Sequence, residues 1–440
     1  MPETRTFYIS TLGCKINQYE SQVLREAWQG QGLQEVQDPA LAGDILVNSC
    51  AVTDRALQDL RKEVRRLHRL SPGAAIVLTG CAASGFFPEL QDLPGVSRIV
   101  PQKKKQLLDQ RAAGHMPGGN NSPGFLGGIT DFPRARPVLK VQDGCSSSCT
   151  YCIVPKARGG SRSRSWQDIL QEALILAGAG FQELVISGIN LAQFRLPGAG
   201  GFWELVRVLD QELGSRLDTP PRLRLSSLDP GLLGQRALDV LGSCRLICPH
   251  LHLSLQSASP KVLQNMGRIG YQARQVQEFL SSLRSVWPMY ALGADLLLGF
   301  PGETEQDFLQ TYEFCRTQSL SYAHVFTYSP RPGTKAAHFP DQVDQGQKKR
   351  RSQQLRTLMQ AQRREFLGRL CSQPRLEVVL EQTSPALGLC EYYVTCLLQQ
   401  EPDNLQARAR VFVQPVEVRE GGVWSVFLAP NRSRSRNRYA

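Results

Sequence analysis

The 440-residue chain lacks several features that would assign it to familiar classes. It has no uninterrupted apolar run of about 18 residues, the least that a membrane-spanning helix needs, so no membrane partner is expected. Met1–Thr6 is not followed by the apolar core of a secretory signal, and a reducing, cytoplasmic compartment is expected. No repeat of solenoid type is visible. Acidic residues fall short of basic ones, 39 against 51, leaving a net charge of +12. That balance favours a polyanionic partner through phosphate contacts and counterion release. A solvated basic surface is the plainer alternative. Hydrophobic content of 41% leaves ample material for a core, and the length suggests about three domains.

What is present in excess is cysteine, twelve in all. In a chain of this size and compartment, metal or cluster ligation accounts for them better than disulfides. Three are packed into Cys145-Ser-Ser-Ser-Cys149-Thr-Tyr-Cys152. That spacing lets one loop present three thiolates to a [4Fe–4S] cubane while one iron keeps an open position. It is the signature of radical S-adenosylmethionine (SAM) enzymes. Zinc is the alternative, but it wants a fourth ligand nearby, and Cys244 and Cys248 lie far downstream. Three further cysteines, Cys14, Cys50 and Cys81, each follow a strand candidate. Loops after parallel strands leave the same sheet edge, so these thiols should converge. We read them as ligands of a second [4Fe–4S] cluster, against the alternative of three small buried side chains. The remaining six (Cys244, Cys248, Cys315, Cys371, Cys390 and Cys396) read as packing residues.

The expected fold class is α/β. Strand candidates at 7–12, 44–48 and 75–79, with helices over 20–31 and 53–69, form an N-terminal parallel-sheet domain over 1–112. A Gly/Pro/Asn-rich linker covers 113–133. Six βα repeats over 134–370 (strands 138–141, 183–187, 222–226, 250–256, 290–298 and 321–327) describe a partial (βα)6 TIM-type barrel, with chemistry at the strand C-termini. A connecting helix at 348–370 ends it. Runs at 376–380, 392–397, 409–413 and 423–427 suggest a small all-β barrel over 371–430, of a kind that binds RNA. A basic tail over 431–440 closes the chain.

Strand alternation places His250, His252, Ser254 and Gln256 on one face. SAM contact is expected for the later positions, Gln256 in particular, and a satisfied, non-ligand role for the two histidines. Ser187 and Gly188, at a strand end, are candidates for the SAM amino group. Asp295 is a cofactor candidate or a structural hydrogen-bond acceptor. Tyr151, beside the third thiolate, is placed on the SAM adenine. Arg158, Arg162 and Arg164 follow the cluster loop and suit RNA phosphate or a carboxylate.

Gly13-Cys-Lys-Ile-Asn-Gln-Tyr-Glu-Ser21, Asn48-Ser-Cys-Ala-Val-Thr53 and Leu78-Thr-Gly-Cys-Ala82 resemble the three N-terminal motifs of the methylthiotransferases. Ala135-Arg-Pro-Val-Leu-Lys-Val-Gln-Asp-Gly-Cys145, Cys152-Ile-Val-Pro-Lys-Ala-Arg-Gly159, Ser254-Leu-Gln-Ser257, Met266-Gly-Arg268, Leu298-Gly-Phe-Pro-Gly-Glu-Thr304 and Tyr328-Ser-Pro-Arg-Pro-Gly-Thr334 continue the match. Lys15 and Asn17–Ser21 are similar to the MtaB-type branch. The resemblance implies two [4Fe–4S] clusters, SAM, and insertion of S–CH3 at C2 of N6-threonylcarbamoyladenosine beside the tRNA anticodon. It also implies external electron and sulfur donors, a monomer, a role for Arg268 at the SAM site and a TRAM-like C-terminal barrel. Other branches act on isopentenyladenosine or on a ribosomal-protein aspartate. A non-catalytic iron–sulfur regulator that binds nucleic acid is a reading from another class. Ala258, Pro260 and the one-residue delay of Tyr271 depart from the family pattern.

Overall fold

A computed structural model describes residues 5–109, 125–196, 200–399 and 406–428. Most of the expected linker and the whole basic tail lie outside the described residues.

Strands β1 (Thr6–Thr11), β2 (Gln34–Glu35), β3 (Asp44–Ser49), β4 (Ala75–Gly80) and β5 (Val96–Pro101) form a parallel sheet in the order β2-β1-β3-β4-β5. The central strands carry near-continuous apolar runs because helices cover both faces. Ile45, Val47, Ile76 and Leu78 are fully buried against Leu57, Leu60, Val64 and Leu67 of the helix Asp54–Leu70. That helix starts where Thr53 Oγ1 accepts the Ala56 N–H, at 3.1 Å. The helix expected at 20–31 instead spans Lys15–Gly30, with Cys14 at its N-cap. Its apolar stripe therefore begins one turn earlier, with Ile16 and Tyr19 buried.

The second unit contains β6 (Val138–Lys140), the short antiparallel pair β7 (Gln142–Asp143) and β8 (Arg162–Ser163), then β9 (Glu183–Ser187), β10 (Arg222–Leu225), β11 (His250–Gln256), β12 (Ala291–Leu298) and β13 (Tyr322–Thr327). Two parallel three-stranded sheets, β10-β9-β6 and β11-β12-β13, are joined by bridges Leu223↔Ile247 and Leu228↔Leu253. The result is an open arc of six parallel strands with helices outside, as expected for a partial barrel. The register of β11 shifts between Leu253 and Gln256, and Gln256 has φ +63°. Alternation therefore fails at the strand end, and Gln256 does not continue the face of Ser254.

The helix Gln345–Cys371 crosses to a closed barrel of β14 (Leu376–Thr383), β15 (Ala386–Cys390), β16 (Thr395–Leu398), β17 (Arg410–Arg419) and β18 (Gly422–Phe427), ordered β14-β15-β16-β18-β17. The strand expected at 392–397 is split. Tyr393 has φ +61° and forms a turn, and the fifth strand is β15, which the pattern of apolar runs did not reveal. This barrel docks below the six-stranded arc. Arg222 and Arg224 donate to the carbonyls of Leu389, Cys390 and Glu391 while both pair with the buried Glu183.

Candidate active site

Cys14, Cys50 and Cys81 end β1, β3 and β4 on one edge of the first sheet. Two glycines make this convergence possible. At Gly13 (φ +98°) a Cβ would collide with the Cys50 side chain, and at Gly80 (φ +97°) with the backbone of Ser49. Burial lifts the Cys50 thiol to about 11, and the nearby Cys14 and Cys81 sulfurs add to the shift. Cys81 is raised too, by burial, opposed by Arg158. Two buried thiols and an exposed third, Cys14, close enough to disfavour one another's ionisation, are a donor set that a cluster iron would deprotonate and neutralise.

Cys145, Cys149 and Cys152 line a cavity of about 450 Å³ at the C-terminal mouth of the arc, together with Asn190, Gln193, Asp229, Ser254, Arg268 and Tyr271. Burial raises Cys152 to about 12, with Cys149 and Cys145 contributing. The Cys145 sulfur accepts from the Ser147 N–H (3.4 Å) and from Asn190 Nδ2 (3.6 Å). Such donors orient and stabilise a metal-bound thiolate. The donor set and the space fit a cluster with SAM beside it.

Arg268 belongs to this cavity. Its guanidinium binds Asp229 Oδ2 and the Ser254 carbonyl, both at 2.8 Å, and Tyr271 OH at 3.3 Å. The delayed Tyr271 thus still closes on Arg268, and its hydroxyl donates to the Leu255 carbonyl. Asp229 was not visible in the sequence because nothing local distinguishes it from an ordinary turn aspartate. Tyr151 lines this cavity and also a second one. Ser187 and Gly188 stop short: Ser187 is buried and pairs with Val141, and Gly188 packs on Gln142. The cavity is lined instead by Ile189–Gln193, just beyond them.

The second cavity, about 260 Å³, is formed by Val52 and Thr53 next to Cys50, by Tyr151, and by Gln256, Asp295, Phe326, Thr327, Tyr328, Ser329 and Arg331. Gln256 and Asp295 sit here, outside the SAM-sized cavity. Asp295 Oδ1 accepts from His252 and His324, each at 3.1 Å. Those bonds, against the opposing effect of burial, hold its carboxyl well below the usual range.

Two of the three arginines assigned to RNA require correction. Arg158 is 2% exposed. It donates to Glu20 (2.8 Å), Asp143 (2.9 Å), Asn17 (2.8 Å) and the Cys81 sulfur (3.3 Å). Arg164 is 4% exposed, paired with Glu172 at 2.6 Å and with Tyr19. Neither can reach a phosphate. Arg162 is the exposed member, with Asp143 Oδ2 at 3.6 Å and the Phe125 ring beneath it.

Arg158 is the centre of a buried hub that sequence reasoning missed. Glu20 also takes Lys105 (2.5 Å) and Lys140 (2.8 Å), and Lys140 takes Asp143 (2.9 Å). Burial opposes the charge on Glu20, yet Arg158, Lys105 and Lys140 hold its carboxyl far below normal. The hub carries three cations against two anions beside the Cys81 thiol, a field suited to an anionic cluster. It also joins the two units. The helix Val154–Arg158, just after Cys152, packs through Ile153 and Ala157 into the N-terminal core, and Gly85 of the Cys81 helix touches Ile153. The two cysteine triads are therefore neighbours. The signal was present in motifs Asn17–Ser21 and Lys140–Asp143, but only the fold brings those motifs together.

Comparison with known proteins agrees with this geometry. Residues 6–100 match the model described as uncharacterized protein family UPF0004, and residues 139–315 match the Radical SAM superfamily. The chain is 33% identical to the threonylcarbamoyladenosine tRNA methylthiotransferase MtaB of Bacillus subtilis, over 86% of this chain and 85% of that one. It is 35% identical to MtaB of Chlamydia pneumoniae (77% and 78% covered) and 33% identical to the tRNA-2-methylthio-N(6)-dimethylallyladenosine synthase of Syntrophobacter fumaroxidans (81% and 81%). In fold it is similar to the radical S-adenosylmethionine methyltransferase TsrM of Kitasatospora setae, with TM-score 0.55 and 14% identity over 76% and 77% of the two chains. The chain belongs to the radical SAM methylthiotransferases, enzymes that work with [4Fe–4S] clusters and S-adenosylmethionine.

Proposed function

We propose that this enzyme inserts S–CH3 at C2 of N6-threonylcarbamoyladenosine next to the tRNA anticodon. The observation that carries the reading is the cavity of about 260 Å³ whose walls come from both sides: Val52 and Thr53 beside Cys50, and Tyr151 from within the Cys145–Cys152 loop. A base held there lies between two triads of thiols. Cys145, Cys149 and Cys152 would hold the SAM-binding cluster, and Cys14, Cys50 and Cys81 a second one that carries the sulfur to be transferred. When bound, the first cluster with SAM supplies a carbon-centred radical, which an inert aromatic C–H requires because no side-chain base removes that proton.

The chain's own residues bind and orient. Arg268, set by Asp229 and the Ser254 carbonyl, presents a fixed cation in the SAM cavity, suited to the cofactor's carboxylate. Asn190 and Gln193 add amide groups there. On the substrate side Thr53, Thr327, Ser329 and Arg331 give the cavity a polar wall. Arg331 is buried; its Nη2 pairs with Asp54 and Ser329, while its Nε has no partner among the described residues. A threonyl carboxylate meets that need better than an isoprenyl chain, which favours the threonylcarbamoyl substrate over the isopentenyl alternative.

The reading includes a division into a methylthiotransferase unit over 1–112, the radical-SAM arc over 134–370 and a TRAM-like RNA-binding barrel over 371–430. It also includes a cytoplasmic monomer served by separate electron and sulfur donors. Nucleoside mass spectrometry of tRNA from a deletion strain tests it: the 2-methylthio derivative of threonylcarbamoyladenosine should vanish. Its persistence at the wild-type level defeats the substrate assignment. Reconstituted protein should hold about eight irons, and the Cys14→Ala, Cys50→Ala, Cys81→Ala variant about four, while still cleaving SAM.

A further inference from the structure

His252, Asp295 and His324 come from three adjacent parallel strands, β11, β12 and β13, and no step above uses them as ligands. Asp295 and His324 are direct register partners, and His252 pairs with Gly293. One donor atom from each of the three residues lies within 4.8 Å of the other two. Both nitrogens stand 3.1 Å from the same carboxylate oxygen. Two ligand atoms each about 2.1 Å from a shared metal are about 3.0–3.4 Å apart, for angles between octahedral and tetrahedral. The two nitrogen-to-oxygen separations fall in that interval.

The surroundings are built to aim the ligands. Tyr322 OH contacts His252 Nδ1 at 3.0 Å and His250 Nε2 at 2.8 Å, so the far ring nitrogen of His252 is the one turned to Asp295. A Cβ at residue 293 would overlap the Tyr322 ring and His252 Nδ1, so Gly293 is what allows this contact. Such outer hydrogen bonds orient ligating histidines in metal sites. Access is graded. His252 is buried, the His324 side chain is 56% exposed, and His324 opens onto a cavity of about 440 Å³ shared with Arg356, Arg363 and Tyr393. That leaves room for water to complete a coordination sphere.

We propose that His252, Asp295 and His324 bind a divalent first-row transition ion, a mononuclear site distinct from both cysteine triads. Two imidazoles and one carboxylate suit zinc, cobalt or manganese, and the ligand charge suits a 2+ ion. The ion would clamp β11, β12 and β13 together beside the cavity that Asp295 lines. The site stands whether or not the substrate assignment above is right.

The test uses the full chain, anaerobically reconstituted with its clusters, then dialysed separately against zinc, cobalt and manganese. Metal analysis should find about one added ion per chain for at least one of these metals, above the cluster iron. X-ray absorption at that metal's edge should show nitrogen and oxygen ligands without sulfur. His324→Ala and Asp295→Asn should lose the ion while keeping iron content. His324→Ala should leave the unfolding midpoint of the metal-free protein unchanged, since that side chain is largely exposed, and the rise in midpoint that the ion gives the parent protein should be absent from both variants. Tyr322→Phe should weaken binding about ten- to a hundredfold. Three results would overturn the site: no retention of any of the three metals, sulfur in the coordination shell, or equal retention by His324→Ala and Asp295→Asn.

Discussion

Replacing Arg158 by methionine separates the two roles that could be given to this residue. The side chain fills about the same volume but removes donors to Glu20, Asp143, Asn17 and Cys81 in one step. Glu20 would keep Lys105 and Lys140, and Asp143 would keep Lys140, so no anion is stranded, but the fork joining the two units is gone. Because the remaining charges stay paired, the cost is that of the lost charge-assisted hydrogen bonds, about 1.5–3 kcal/mol. For a unit of this size that lowers the unfolding midpoint by roughly 3–12 °C. Thermal unfolding of reconstituted protein, followed by circular dichroism, reads this directly, and iron analysis should show loss from the Cys14/Cys50/Cys81 site first. A phosphate-binding arginine gives the opposite pattern: unchanged unfolding, weaker tRNA binding and a shallower salt dependence. That outcome would refute the hub. The hub is also acid-sensitive. Glu20 and Asp143 are held below their unfolded values near 4. Their contribution is complete above that pH and is lost as pH falls through the lower folded values.

Gly80→Ala places a Cβ on the Ser49 backbone at φ +97°, so the variant should lose about 2 kcal/mol or more and fail to assemble the N-terminal cluster, measured by denaturant unfolding and iron content. Burial raises the Glu391 carboxyl to about 7 where the C-terminal barrel meets the arc. The folded protein therefore holds a proton that the unfolded chain releases near pH 4, so this residue's effect on stability worsens as pH rises from about 4 to 7. Glu391→Gln should accordingly raise the unfolding midpoint at pH 8 and leave it unchanged at pH 4; equal effects at both values would exclude the titration. Arg162→Ala should weaken tRNA binding and reduce the slope of log affinity against log salt by about one. An unchanged slope would remove Arg162 from the RNA interface.

Much was determined by the sequence alone. Three cysteines within eight residues must share a loop, and three more at the ends of parallel strands must share an edge, so both triads were legible without coordinates. Apolar runs of strand length alternating with amphipathic helices likewise specified the α/β class. Arginine identity, by contrast, says nothing about burial. Arg158, Arg162 and Arg164 read alike in a basic run, and only tertiary packing sends two of them inward to Glu20 and Glu172 and leaves one at the surface. The same holds for His252, Asp295 and His324, which stand 43 and 29 residues apart along the chain and meet only because parallel strands bring distant positions into register. Local spacing determines what one loop can present. Which charges face one another across two units depends on how the chain returns to itself, and that is decided by packing.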